Sequence, residues 1–155
     1  MIGGGCAGLE LARELVADGH AVRAVTRHES SRGAIAEAGA ECWIGDPGVI
    51  GTLRYALDNV TVLLWLLGTV EDPVLHGPRL QMMLERTTDT TVRGVVYELG
   101  TDAGVAELRS ARERNEIPFR IVEERREDAE RWVSTVRGAI DSLLVPRATR
   151  LAERA

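Results

Sequence analysis

Gly3-Gly4-Gly5-Cys6-Ala7-Gly8-Leu9-Glu10-Leu11-Ala12-Arg13-Glu14-Leu15-Val16-Ala17-Asp18-Gly19-His20-Ala21-Val22-Arg23-Ala24-Val25 decides the fold through the order of its patterns. A run of glycines marks a tight turn. Leu9, Leu11, Ala12, Leu15 and Val16 then recur at helical spacing until Asp18-Gly19 stops the helix. Residues 21–25 come next as a short strand. Turn, helix and strand in that order are the body of a strand-helix-strand unit, and its first strand has only Met1 and Ile2 ahead of the glycines. Such a strand normally lies in the middle of its sheet. The expectation is therefore a truncated first strand, with the chain as given starting inside it.

The rest of the sequence repeats the alternation. Strands are predicted at 41–44, 61–67, 94–98 and 119–122, and helices at 30–38, 49–57, 75–86 and 103–115. The near-continuous apolar run at 60–67 fits a central strand covered on both faces. Near the end, Trp132, Val133, Val136, Ile140, Leu143 and Leu144 share one helical face, and Pro146 stops that helix. The expected class is α/β, a doubly wound parallel sheet with helices on both faces, of the Rossmann-like type. One domain is expected over residues 1–145, followed by a polar, arginine-rich tail at 146–155. The apolar stripe of the last helix suits packing onto the sheet, and equally the pairing of two copies as a homodimer.

Composition narrows the function. The chain has 155 residues, of which 45% are hydrophobic and 28% charged, with a formal net charge of -5. That balance is globular and gives no general attraction to nucleic acid or an anionic membrane. The longest apolar run is far too short to span a bilayer. Cys6 and Cys42 form no framework of disulfides, and with no leader sequence in view they point to a cytoplasmic protein. The three histidines and two cysteines show no metal-ligand spacing. All 19 basic residues are arginine, so no chemistry that needs a lysine amine is available.

The glycine loop matches GxGxxG, with Gly3, Gly5 and Gly8 in the three key places. The first allows the turn, the second lets backbone approach a pyrophosphate, and the third permits close helix-strand packing. Cys6 and Ala7 open the helix, whose free N–H groups and positive dipole end would face the phosphates. A glycine turn made for backbone reasons alone satisfies the same pattern. After the second strand, an NAD site usually has Asp or Glu for the ribose hydroxyls, whereas this chain has Thr26-Arg27-His28, with Arg32 one helical turn on. An arginine fork there pairs with a 2′-phosphate, which favours NADP over NAD. Asp46, in Gly45-Asp46-Pro47-Gly48, either meets the adenine edge or belongs to a turn that caps the next helix.

The glycine loop, the run 19–27 and Gly39-Ala40-Glu41 leading to Gly45-Asp46 resemble the atypical short-chain dehydrogenase/reductases and NAD-dependent epimerase-like proteins. The resemblance implies that Gly3, Gly5 and Gly8 hold pyrophosphate, Arg27 the 2′-phosphate and Asp46 the adenine. It also implies an oxidoreductase or epimerase-like activity through a Tyr-x-x-x-Lys pair. That pair cannot exist here. Tyr97 with Glu98, at the end of the fifth strand, and His76, in the loop after the fourth, are the remaining candidates for proton transfer. Each has a plain alternative in packing. Three readings remain open: an NADP-binding sensor or regulatory module, an NADP-dependent reductase or epimerase-like enzyme, and a nucleotide-sensing domain of the kind that regulates potassium transport. The last typically carries an acidic residue where Arg27 stands.

Overall fold

The computed structural model describes residues 1–145, so the tail expected at 146–155 lies outside the described residues. Its sheet is built around β4 (Val62–Leu66), the strand read from the longest apolar run. Successive side chains of a strand face opposite ways. Leu64 and Leu66 join Leu11 and Leu15 on one side, while Leu63, Trp65 and Leu67 join Leu80, Met83 and Leu108 on the other. Both faces are dry, which is why no polar alternation interrupts the strand.

Around it the chain runs β1 (Ile2–Gly3), α1 (Gly5–Ala17), β2 (Arg23–Thr26), α2 (Arg32–Glu37), β3 (Glu41–Ile44) and then β4. Next come α3 (Pro73–His76), α4 (Pro78–Thr87), β5 (Gly94–Glu98), α5 (Asp102–Asn115), β6 (Phe119–Val122) and α6 (Ala129–Leu144). The six strands are parallel and lie in the order β3-β2-β1-β4-β5-β6. The order of strands switches direction between β1 and β4, β2 and β3 being added on one side and β5 and β6 on the other, and in such sheets the crevice beyond the strand ends at that switch is where ligands bind. This is the doubly wound, Rossmann-like architecture.

The core has two sides. α1, α2 and α6 cover one face; α4, α5 and a 3-10 turn at Ile50–Leu53 cover the other. Trp132, Val133, Val136, Ile140 and Leu143 of α6 are buried, whereas Leu144 is exposed and off that face. Arg137 of α6 donates to both carboxylate oxygens of Asp18 and to Glu14, lacing α6 to the end of α1. β1 is short, as expected. It pairs with β4 from Ile2↔Trp65 onward, although β4 already pairs with β5 from Val62↔Gly94.

Two expected helices differ. Residues 49–57 form the 3-10 turn and further turns instead of an α-helix. The Thr52 hydroxyl bonds the carbonyls of Val49 and Asp46, and such local bonds compete with helical ones. Ile50, Leu53, Ala56 and Leu57 still reach the core. The helix expected at 75–86 is broken at Gly77, whose φ is -122° and ψ -99°. Pro73 and Pro78 each open a helix, because a ring without an N–H fits the first turn and not the interior. No described helix is long and apolar enough to cross a membrane.

Candidate functional site

The glycine loop owes its shape to three consecutive left-handed residues, with φ +81° at Gly3, +100° at Gly4 and +56° at Gly5. Space adds a second demand. A Cβ on Gly3 would overlap the Leu66 carbonyl, and one on Gly4 would come within 2.8 Å of Gly8 Cα. Gly4 N–H donates to Leu66 O at 2.9 Å, which fastens the loop to the end of β4. Gly5 differs from its neighbours. A Cβ there would meet only Arg126 Nη1, at 3.6 Å, so the second glycine looks onto open space. α1 starts beside it with no side-chain cap and no acid in its first turn. Its first N–H groups therefore have no intrahelical partner and face outward with the positive end of the dipole. The loop fits a bound anion: tight where it packs, open where a phosphate would approach.

Beyond the loop lies a cleft of about 540 Å³ at the carboxyl ends of β1 and β2. Gly3, Gly5, Cys6, Gly8, Arg27 and His28 line it. Arg27 and His28 are exposed, and no hydrogen bond engages either side chain among the described residues. Ser30 and Ser31, which sequence reasoning passed over, also line the wall. They are ordinary surface serines in the sequence, and only the turn after β2 brings them round.

Ala7, Arg32 and Asp46 are not on the wall. Arg32 donates from Nε and Nη2 to the two carboxylate oxygens of Glu29, at 2.6 and 3.2 Å. That hydrogen bond holds the Glu29 carboxyl below its usual range. Asp46 Oδ1 accepts from Gly48 N–H at 2.7 Å, the turn geometry, although its neighbours Gly45 and Pro47 do reach the cleft.

The other half of the same edge, at β4, β5 and β6, is filled. Tyr97 and Glu98 do not face one site together, because adjacent strand residues point to opposite faces. Tyr97 enters the α4–α5 side and is fully buried. There its hydroxyl lies 2.8 Å from His76 Nδ1, and His76 Nε2 lies 2.9 Å from Val70 O. A carbonyl only accepts, so Nε2 carries the proton and Nδ1 accepts from the Tyr97 O–H. Thr101 N–H approaches the same phenol oxygen at 3.5 Å. His76 is 1% exposed and forms part of the core rather than a loop over the cleft.

Glu98 enters the opposite side and is 4% exposed. Arg126 meets it with a fork, Nε to Oε1 at 2.8 Å and Nη2 to Oε2 at 2.5 Å, and Nη2 also donates to Leu66 O at 2.7 Å. The guanidinium lies over the Trp132 ring, 5.4 Å from its centre. The charged run 123–128 reads in the sequence as a solvated loop and helix N-terminus; Asp128 does cap α6, and the structure corrects the solvated part at one residue. Arg125 and Glu127 do pair in solvent, but Arg126 turns inward. Nothing in a non-periodic charged run separates Arg126 from Arg125.

No family model matches the sequence, and no curated protein matches it. Solved structures do resemble the fold. The protein gox2253 superposes with a TM-score of 0.62 and 21% identity, over 77% of this chain and 48% of its own. Triphenylmethane reductase of Citrobacter sp., solved with NADP(H), gives 0.60 and 19%, over 78% and 47%. The NADPH-dependent quinone oxidoreductase QOR2 of Escherichia coli gives 0.57 and 16%, over 79% and 46%. The chain thus spans about half the length of these proteins, and what they share with it is a Rossmann-like fold.

Proposed function

We propose that this chain is an NADP-binding domain of the oxidoreductase type. The carrying observation is the cleft itself: an open second glycine, an uncapped helix start and two basic side chains, unengaged among the described residues, converge on one cavity. The N–H groups at the start of α1 hold the pyrophosphate, and Arg27, with His28 beside it, takes the 2′-phosphate. Two fold neighbours named for NADP(H) or NADPH support the choice of cofactor. When bound, NADPH supplies a hydride to an acceptor.

Titration with NADPH and NADH, followed by nicotinamide fluorescence, tests the reading. Expected are tighter binding of NADPH and, with Arg27→Ala, a loss of about 10-fold or more confined to NADPH. Equal affinity for both cofactors in the parent and the variant removes Arg27 from the site. Failure of the folded protein to bind either nucleotide removes the proposal.

A second reading, binding without turnover, is favoured by the groups that would move protons. The chain has no lysine, and Tyr97 and His76 satisfy each other inside the core. A panel of quinone and carbonyl acceptors separates the two: NADPH oxidation with any of them supports the enzyme, and binding without oxidation supports the module.

A further inference from the structure

We propose that Arg126 is a third phosphate-binding element of this site, presented to the glycine loop by the buried carboxylate of Glu98. The inference rests on the NADP reading and extends it to a residue far away in sequence. Its basis is the set of guanidinium donors. Nε and one Nη2 hydrogen go to Glu98, and the other Nη2 hydrogen goes to Leu66 O. Nη1 keeps both of its hydrogens, and no bond to it is found among the described residues. It is also the one atom that a Cβ on Gly5 would touch.

Position is fixed twice over. The Leu66 carbonyl that accepts from Arg126 also accepts from Gly4 N–H, so guanidinium and glycine loop hang from a single oxygen. Glu98, with a side chain only 6% exposed, and Trp132 below restrain the plane of the fork. A guanidinium held this way loses little freedom on meeting an anion, and its spare edge suits a phosphate oxygen. The N–H groups of α1 and the Nη1 edge then approach the pyrophosphate from two sides. Arg27, by contrast, serves the far end of the ligand, at the 2′-phosphate.

The two arginines can be told apart by ligands that carry one phosphate group or the other. Isothermal titration would compare NADPH with adenosine 2′-monophosphate, which lacks the pyrophosphate. The variant is Arg126→Met combined with Glu98→Gln, which leaves no buried carboxylate without a partner. Expected is a loss of about 10- to 100-fold for NADPH and an unchanged affinity for the 2′-monophosphate. Arg27→Ala weakens both ligands. If the double variant does not fold, Arg126→Lys keeps a cation beside Glu98 without the fork, and a smaller loss confined to NADPH is expected. Unchanged or tighter NADPH binding overturns the proposal, since Arg126 would then be idle or in the way. An equal loss for both ligands overturns it too, because the cleft as a whole has been damaged. Absence of any nucleotide binding by the parent protein overturns the NADP reading first, and this inference with it.

Discussion

The two halves of the sheet's carboxyl edge are built from the same strand-helix units but use their polar groups in opposite ways. At β1 and β2 the backbone turns are left open, and Arg27 and His28 stand around a cavity with no side-chain hydrogen bond among the described residues. At β4, β5 and β6, Glu98 is held by Arg126, and Tyr97 is bonded to His76, which is bonded to Val70 O. The difference is instructive because a polar group already satisfied in the fold has little to offer a ligand, whereas burying it alone would cost far more than pairing it. The open half leaves room and polar groups that a ligand could use. The filled half uses its polar groups on one another, and Nη1 of Arg126 lies beside Gly5, where the two halves meet.

Alanine scanning of glycines is the harshest way to break this comparison. In the filled half, a Cβ on Gly104 would overlap the Tyr97 hydroxyl, which is locked to His76. Gly104→Ala is expected to cost about 3 kcal/mol or more, at the upper end of overpacking effects. In the open half, a Cβ on Gly5 has room, and the penalty is that of a left-handed φ of +56°. Gly5→Ala is expected to cost about 1–2 kcal/mol of stability. Its nucleotide affinity should nonetheless fall, since the methyl group would occupy the phosphate approach. Urea unfolding of both variants checks the order, and a Gly5→Ala protein that is the less stable of the two would reverse it.

Removal of one oxygen is the next test. Tyr97→Phe leaves His76 Nδ1 without its donor in a buried site, at an expected cost of about 1–3 kcal/mol by thermal unfolding. NADPH affinity should not change, because Tyr97 and His76 are enclosed in the core on the α4–α5 side and expose no polar group to a ligand. A loss of binding at unchanged stability would instead bring the pair into the site.

These residues also show where the sequence was legible. The parallel sheet, its doubly wound class and the glycine loop follow from local periodicity and from turn chemistry read within a few residues. The burial of α6 does too. The break at Gly77 is written in Pro73 and Pro78, since each ring fits the first turn of a helix and not its interior, and a single helix over 75–86 overlooks that. The Glu98–Arg126 fork lay out of reach, as its partners are 28 residues apart and in the sequence Arg126 looks like any solvated arginine. Tyr97 and Glu98 looked like one site because they are neighbours in sequence. On a strand, adjacency means opposite faces.

The smallest expected effect bears most directly on how the open half recognises its ligand. Glu29 and Arg32 are both well exposed, and an ion pair in solvent adds little to stability. Because its pKa is depressed in the fold, what Glu29 contributes is present above the unfolded carboxyl pKa and lost as pH falls through the folded value. At neutral pH the carboxylate is charged and occupies the Arg32 fork just past Ser30 and Ser31 of the cleft wall. Glu29→Gln should leave the melting temperature unchanged. With its competitor neutralised, Arg32 becomes available to a 2′-phosphate, and NADPH binding should tighten a few-fold while NADH binding stays as it was. Equal tightening for both cofactors would mean that only the general field of the cleft had changed, and no tightening would confine 2′-phosphate recognition to Arg27 and its immediate neighbours.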